Sequence, residues 1–338
     1  MKKHLLAPVL WMGFAAWVRT AGAWDYEGHR LVNQVALASL PASFPAFVRT
    51  PEARERIAFL AGEPDRWRNT SELNHANGPE HFLDLEELTM YGLEPAGLDR
   101  FRYDFVAAMA RARAAHPEKF KPVDPAQDRD HTRQLPGFLP WAILDNFDRL
   151  KSTFSALKAF EDAGTPEEVA NAQANAIYHM GVMGHYVGDG AQPLHTTIHF
   201  NGWGETNAMG YTTRPIHSWI DGGYFQKIGG VTFAELSPAI QPAAALPAGE
   251  TFKPIVDYLV AQQKLVEPLY QMEKAGKLSG EGPVGLEGKP FLTKQLVVGG
   301  EMLGSLWLTA WQQAGPDNYL RSQLARRKLK SAAGEAAK

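Results

Sequence analysis

Histidine and aspartate residues concentrate in one part of the chain, at spacings suited to binding a metal ion. His185 is followed four residues later by Asp189, and His217 is followed four residues later by Asp221. Residues four apart lie on the same face of a helix, so each pair can direct an imidazole and a carboxylate at one point. His195 lies between the two pairs. Nitrogen and oxygen donors of this kind suit Zn²⁺, which makes water a nucleophile near neutral pH.

Two further histidines lie in the same part of the chain. His179 precedes His185 by less than two helical turns and faces a different side of the helix, so we expect it in the core or beside the ligands. His199 is left open as a ligand, a substrate contact or an ordinary histidine. The chain has no cysteine. A metal must therefore be held by His, Asp, Glu or main-chain atoms, and no disulfide can form.

Helical spacing of apolar residues extends over most of the chain and predicts an all-α fold, a single multi-helix domain with long irregular connections. Thr165-Pro-Glu-Glu168 predicts a capping box that opens a helix. We expect Gly188, Gly190 and Pro193 to end this helix at about Asp189. The other predicted helices cover residues 26–40, 99–115, 141–162, 252–274 and 290–313.

The remaining segments predict connections rather than regular elements. Residues 229–253 and 276–289 are rich in proline and glycine and read as long surface connections, and residues 230–233 are the best candidate for a strand. Residues 88–135, apart from their one helix, are polar and irregular, and we expect them to pass over a pocket. Residues 326–338 are basic and rich in small side chains, which predicts a disordered tail.

Residues 1–23 have the pattern of an export signal. Lys2 and Lys3 precede an apolar run from Leu5 to Val18, and Ala21-Gly22-Ala23 forms a typical cleavage site. Cleavage there leaves Trp24 as the first residue of an exported protein, periplasmic or secreted. The alternative is an uncleaved anchor helix.

The net formal charge of the chain is −3. This balance lacks the basic excess that is typical of proteins binding duplex DNA. Bound metal ions can nevertheless supply positive charge at a phosphate-binding site.

Five short motifs, in order along the chain, resemble those of the trinuclear-zinc single-strand nucleases, the nuclease S-one and nuclease P-one family. The zinc-dependent phospholipases C belong to the same superfamily. The motifs are Trp24-x3-Gly28-His29, Asp65-x2-Arg68, His81-Phe-Leu-Asp84, His185-x3-Asp189-x2-Gln-Pro-Leu-His195 and His217-x3-Asp221. The C-terminal third of the chain resembles the family only as helical packing.

The resemblance implies three Zn²⁺ ions. The first would be held by Asp65, His81, His185 and Asp189, and the second by His29, Asp189 and the main-chain amine and carbonyl of Trp24. The third would be held by His195, His217 and Asp221. Asp189 would bridge the first two ions. A main-chain amine binds metal only when it is free and neutral, so removal of residues 1–23 would also activate the protein.

The resemblance also implies hydrolysis of phosphodiester bonds in single-stranded DNA or RNA, together with 3′-nucleotidase activity. Asp65 would bind metal and orient or deprotonate water, and Arg68 would stabilise charge on the phosphoryl oxygens. Phe82 and Asp84 would stack on a base and hydrogen-bond to it. The ordinary alternatives are core packing for Phe82 and a surface ion pair for Arg68.

Two departures from the family pattern bear on substrate preference. Ala191 stands where the family usually has a polar residue, and residues 201–207 do not closely match the nuclease loop. The alternatives are a phospholipase C or another phosphoesterase, with phospholipid head groups as substrate, and a non-catalytic zinc-binding protein. The short step from Trp24 to His29, the Asp at position 221 and the presence of Arg68 favour the nuclease. We expect a monomer with one nuclease-like phosphodiesterase domain over residues 24–325 and no stable protein partner.

Overall fold

A computed structural model describes residues 24–204 and 206–336 of the chain, so the predicted export signal of residues 1–23 lies outside the described residues. Within those ranges the fold is all-α, which confirms the predicted fold class. No strand forms in the described residues, and Leu83 and Gly137 make an isolated antiparallel bridge. The strand predicted at residues 230–233 is wrong, because Thr232 caps a short helix that begins at Phe233.

The helices vary greatly in length, and the longest ones build the body of the fold. The α-helices are α1 (Tyr26–Ser39), α2 (Pro51–Leu60), α3 (Glu63–Arg66), α4 (Ser71–Asn77), α5 (Arg102–Ala115), α6 (Leu139–Ala163), α7 (Pro166–Ala191), α8 (Tyr224–Lys227), α9 (Phe233–Leu236), α10 (Phe252–Gln263), α11 (Val266–Lys274), α12 (Gly282–Gly285), α13 (Lys289–Gln313) and α14 (Asn318–Ala336). Short 3₁₀ helices cover Ala46–Arg49, Gly78–His81, Leu85–Tyr91, Pro95–Gly97, Pro117–Lys119, Pro125–Gln127, Pro193–Thr196 and Ser237–Ala239, and a π-helical turn covers Trp219–Gly223.

Helices α1, α6, α7 and α13 pack together around the largest part of the hydrophobic core. Small residues let their backbones approach closely. A Cβ atom at Gly184 of α7 would lie 1.6 Å from Asn33 Oδ1, and one at Gly300 of α13 would lie 2.3 Å from Val35 Cγ1. Both neighbours belong to α1, so close packing holds α1, which carries His29, against α13 and against α7, which carries Asp189.

Helix α7 begins as predicted and ends later than predicted. The Thr165 side chain accepts from Glu168 N and the Glu168 carboxylate accepts from Thr165 N, which confirms the capping box. The helix continues through Gly188 and Gly190 to Ala191. A Cβ at Gly188 would lie 2.9 Å from the His29 ring, so this glycine permits close packing and does not end the helix.

The other helix predictions agree with the structure, with two exceptions. The segment 252–274 forms two helices, α10 and α11, separated by Lys264 and Leu265. Residues 326–336, for which we expected disorder, continue α14, whose buried Leu324 anchors its first half. Among the described helices, none combines the length and apolar character needed to cross a membrane.

Candidate metal centre

Three groups of histidine and aspartate side chains have ligand atoms close enough to share a metal ion. Within each group these atoms all lie within 4.8 Å of one another. The groups are His29 with Asp65 and His185, His81 with His185 and Asp189, and His195 with His217 and Asp221. Together they contain all eight histidine and aspartate residues that the sequence resemblance assigned as ligands.

Asp189 lies between the first two groups and directs one carboxylate oxygen at each. Its Oδ1 is 3.3 Å from His29 Nε2, and its Oδ2 is 3.0 Å from His81 Nδ1 and 3.4 Å from His185 Nε2. Asp65 reaches the same place from α3, with its Oδ1 3.9 Å from His185 Nε2. This arrangement suits a carboxylate that bridges two cations. Asp65 lies near His185, with which the resemblance grouped it, and also near His29, which the resemblance assigned to the second ion.

The third group is built by a turn and a π-helical segment. His195 lies in the 3₁₀ helix after α7, and its Nε2 is 2.9 Å from His217 Nε2. His217 Nε2 is in turn 3.4 Å from Asp221 Oδ2, the i and i+4 geometry that the sequence predicted. The wider π-helical turn at Trp219–Gly223 includes Asp221. Asp25 N donates to Asp221 O at 3.0 Å, which ties this group to the start of α1.

Main-chain carbonyls fix the orientation of two of the histidine rings. His185 Nδ1 donates to Ala61 O at 2.7 Å, and His195 Nδ1 donates to His81 O at 2.6 Å. Because a carbonyl can only accept, the Nε2 of each neutral ring carries a lone pair. Metal-binding histidines typically donate their other ring nitrogen in this way.

The donor set fits bound cations better than it fits an empty polar core. The His185 Nε2 lone pair lies only 2.9 Å from His81 Nδ1. Both oxygens of Asp189, fully buried, accept no hydrogen bond from any described residue. Buried polar atoms without partners are costly, and a cation between them satisfies several at once.

Burial changes the pKa values of these groups so that their neutral forms are favoured. It lowers the pKa of His29, His81, His185 and His217 well below the ordinary value, and it lowers that of His195 to about 4. Burial also raises the pKa of Asp189 and Asp221. Neutral imidazoles are the metal-binding form, and a cation would restore the charged form of the carboxylates.

The second and third groups adjoin a cavity of about 670 Å³ that opens to solvent. His81, His195 and His217 line it together with Arg68. Arg68 donates to Asp65 Oδ1, and its Nε finds no partner among the described residues. Arg68 is therefore a cavity residue paired with a candidate ligand, and the alternative of a surface ion pair unrelated to the site is not supported.

Phe82 and Asp84 also line the cavity. Both are half-buried, and Phe82 lies outside the hydrophobic core cluster, which disfavours the alternative of ordinary core packing. Burial, with smaller contributions from Glu87 and Glu86, raises the pKa of Asp84 well above its ordinary value. Phe200, 42% exposed, contributes a second aromatic ring to the same cavity.

Trp24 lies immediately before α1 with its side chain fully buried, and its indole stacks on Phe225 at a centroid distance of 6.2 Å. The contribution of its main-chain atoms to a metal site stays a prediction. Ala191 packs against α13 and leaves little room for a larger residue, since a Cβ at Gly299 would lie 2.9 Å from Ala191 Cβ.

The two unassigned histidines lie outside the three groups. His179 is half-buried on α7, before the segment that carries the ligands. His199 stacks on Trp203 at a centroid distance of 4.1 Å and accepts a hydrogen bond from Gly204 N. Among the alternatives left open for His199, the structure favours an ordinary packing role.

Gln192 has a position that the sequence did not reveal. Its Nε2 donates to Asp221 Oδ1 at 2.7 Å, and its Oε1 accepts from Leu194 N at 2.8 Å. The side chain therefore connects the end of α7 to a ligand of the third group. The Gln-Pro-Leu-His195 motif pointed to this residue without giving its role.

Comparisons of the chain with protein-family models and with curated proteins returned no match.

Proposed function

We propose that the protein is a zinc-dependent phosphodiesterase that hydrolyses single-stranded nucleic acid. The observation that carries this proposal is a cavity lined by histidines of the second and third His/Asp groups, whose wall also presents Arg68, Phe82 and Asp84. Cationic, aromatic and hydrogen-bonding groups beside a cation site match the parts of a nucleotide: phosphate, base ring and base edge.

Zinc is the metal that these donors favour. The three groups contain five histidines and three aspartates, a nitrogen-rich set that suits Zn²⁺ better than Mg²⁺ or Ca²⁺. Ions held there would polarise phosphoryl oxygens and lower the pKa of water to near neutrality.

The side chains of the cavity position the phosphodiester for attack. The Arg68 guanidinium neutralises charge on the phosphoryl oxygens as it develops. The carboxylate of Asp65, held by Arg68, orients the attacking water and accepts its proton. Pairing with Arg68 keeps this carboxylate in one orientation, so the water does not have to be positioned anew in each turnover.

Phe82 supplies an aromatic face on which a base can stack, and Asp84 supplies a group that can hydrogen-bond to the base edge. Stacking tolerates any base, and it requires an unpaired base whose face is accessible. This is the reason for proposing single-stranded rather than duplex nucleic acid as the substrate.

The test is a parallel assay of the purified protein on single-stranded DNA, RNA, a 3′-nucleotide and phosphatidylcholine. Each is measured with and without a chelator and after zinc is added back. We expect hydrolysis of the nucleic acids that chelation abolishes and zinc restores. Turnover of the phospholipid alone would assign the site to a phospholipase C, and turnover of no substrate would leave a zinc-binding protein.

We further propose that the protein is exported and that Trp24 becomes its first residue. Its free amine and carbonyl would then complete the group around His29. Mass spectrometry of the protein recovered from cells gives the first residue directly. A version with one extra residue before Trp24 should bind less zinc, and unchanged zinc content would remove the amine from the ligand set.

A further inference from the structure

The outer wall of the cavity carries two arginines that the proposed chemistry does not use. Arg129 and Arg133 line the cavity from the irregular segment between α5 and α6. Both side chains are exposed. In the part of the chain that the structure describes, no carboxylate forms an ion pair with either guanidinium. Other arginines of this protein, such as Arg30, Arg66 and Arg102, do form such pairs.

The acids that flank these arginines are occupied by other donors. Asp130 accepts from the Asn74 amide, and its Oδ1 accepts from Thr132 Oγ1 at 2.9 Å. Asp128 Oδ1 accepts from the backbone N of Arg133 at 3.1 Å. These carboxylates therefore hold the segment in shape, and the two guanidinium groups stay available to a ligand.

Hydrogen bonds hold the segment in place and fix one edge of the Arg133 guanidinium. His75 Nδ1 of α4 donates to Asp130 O at 2.7 Å, and Arg133 Nε donates to Gln127 O at 2.8 Å. The second contact leaves the outer nitrogens of Arg133 unused. A guanidinium whose inner edge is fixed and whose outer edge is free suits an oxygen-rich anion.

The acidic side chains that line the cavity repel an anionic ligand less than their number suggests. Burial raises the pKa of Asp84 well above its ordinary value and also raises that of Glu87. Beside Asp130, whose carboxylate is held by Asn74 and Thr132, this wall carries the two guanidinium groups of Arg129 and Arg133.

We propose that Arg129 and Arg133 bind backbone phosphates of the nucleotides that flank the one being hydrolysed. This inference rests on the proposed function and adds to it a preference for polynucleotides over mononucleotides and small diesters. A single nucleotide hydrolysed at this site would lie next to His81, His195 and His217. A longer strand would continue along the outer wall, where its phosphates meet the two guanidinium groups.

The test compares the full-length double variant R129A/R133A with the wild type and with R129K/R133K. The matched control is R111A/R326A, which removes two exposed arginines of α5 and α14 that do not line the cavity. Hydrolysis of bis(p-nitrophenyl) phosphate reports the chemistry without flanking nucleotides. Hydrolysis of an oligothymidylate reports the whole cavity, and fluorescence anisotropy of the same labelled oligothymidylate in the presence of chelator reports binding without cleavage.

We expect R129A/R133A to weaken oligothymidylate binding and to lower kcat/KM for it, while the rate on bis(p-nitrophenyl) phosphate is unchanged. R129K/R133K should retain most of the binding, and R111A/R326A should match the wild type. Two lost phosphate contacts make the plot of log binding constant against log salt concentration shallower by about 1.4. When salt is raised from about 50 to about 200 mM, binding should therefore weaken roughly sevenfold less in R129A/R133A than in the wild type.

Three results would overturn the proposal. The first is equal oligothymidylate binding by R129A/R133A and R111A/R326A. The second is a wild type that does not bind the oligothymidylate. The third is loss of binding to phosphatidylglycerol vesicles in R129A/R133A with oligothymidylate binding unchanged, which would assign the arginines to a lipid surface. Failure of the proposed function is distinguished by the absence of hydrolysis of both substrates, because the anisotropy measurement still reports binding.

Discussion

Substituting Gln192 by methionine removes the hydrogen bond that holds the Asp221 carboxylate, together with the one that Gln192 Oε1 accepts from Leu194 N. Gln192 Nε2 donates to Asp221 Oδ1 at 2.7 Å, which leaves Oδ2 directed toward His217. Methionine has a similar length and donates no hydrogen bond. A hydrogen bond to a charged group contributes about 1.5–3 kcal/mol, which corresponds to a loss of roughly 10- to 150-fold in affinity for one metal ion.

The substitution also changes the pH dependence of that metal ion. Burial raises the pKa of Asp221, and the Gln192 hydrogen bond opposes the rise. Without it the pKa rises further, so the carboxylate takes up a proton and releases metal at a higher pH than in the wild type.

The assay titrates the zinc-loaded protein with a fluorescent competing chelator and counts the ions released at each step. In Q192M we expect one step to move to lower chelator concentration while the other steps stay in place. Gln295→Met is the matched control, since Gln295 is a buried glutamine of α13 whose side-chain oxygen has no partner in the described residues. Unchanged release by Q192M, or equal weakening of every step in both variants, would refute the reasoning.

Three further predictions address the rest of the molecule. Asp189→Asn should remove the metal ions near His29 and His81 together, because one carboxylate serves both groups; elemental analysis checks this. Phe82→Ala should raise KM for single-stranded DNA by about 5- to 150-fold with little change in kcat, since stacking contributes about 1–3 kcal/mol per base. Arg327 lowers the pKa of Glu168 to about 2, so the stability that this pair contributes is present above about pH 4.5 and is lost as the pH falls toward about 2.

Each of these predictions has a contradicting result, and the Phe82 prediction also has a control variant. Retention of zinc by Asp189→Asn would mean that Asp189 does not bridge. Phe101→Ala, at an exposed ring outside the cavity, should leave KM unchanged, and an equal effect of both phenylalanine variants would remove the stacking role. The difference in urea midpoint between the wild type and Arg327→Ala should shrink on acidification, and a constant difference would contradict the Glu168 argument.

Much of the fold could be predicted because its signals are local. The capping box at Thr165 and Glu168 and the apolar spacing of α1, α6 and α13 are properties of short stretches of sequence. The errors occur where a residue far away in the sequence determines the local structure. Gly188 reads as a helix end in sequence, but in the fold it makes room for the His29 ring of another helix.

The candidate site was predictable to the extent that its residues fall into motifs. The His185–Asp189 and His217–Asp221 pairs follow directly from helical spacing, and His29 and His81 came from the resemblance. Arg129 and Arg133 lie in the irregular segment 88–135 that the sequence predicted to pass over a pocket, but without periodicity nothing singled out these two residues. The hydrogen bond from Gln192 to Asp221 could be recognised only in the structure, because Gln192 follows α7 and Asp221 lies in the π-helical turn.

The most direct test of the account is the zinc content of the purified protein, measured by elemental analysis after dialysis against metal-free buffer. The three His/Asp groups predict about three zinc ions per chain. About one zinc ion per chain, or none, would contradict the account.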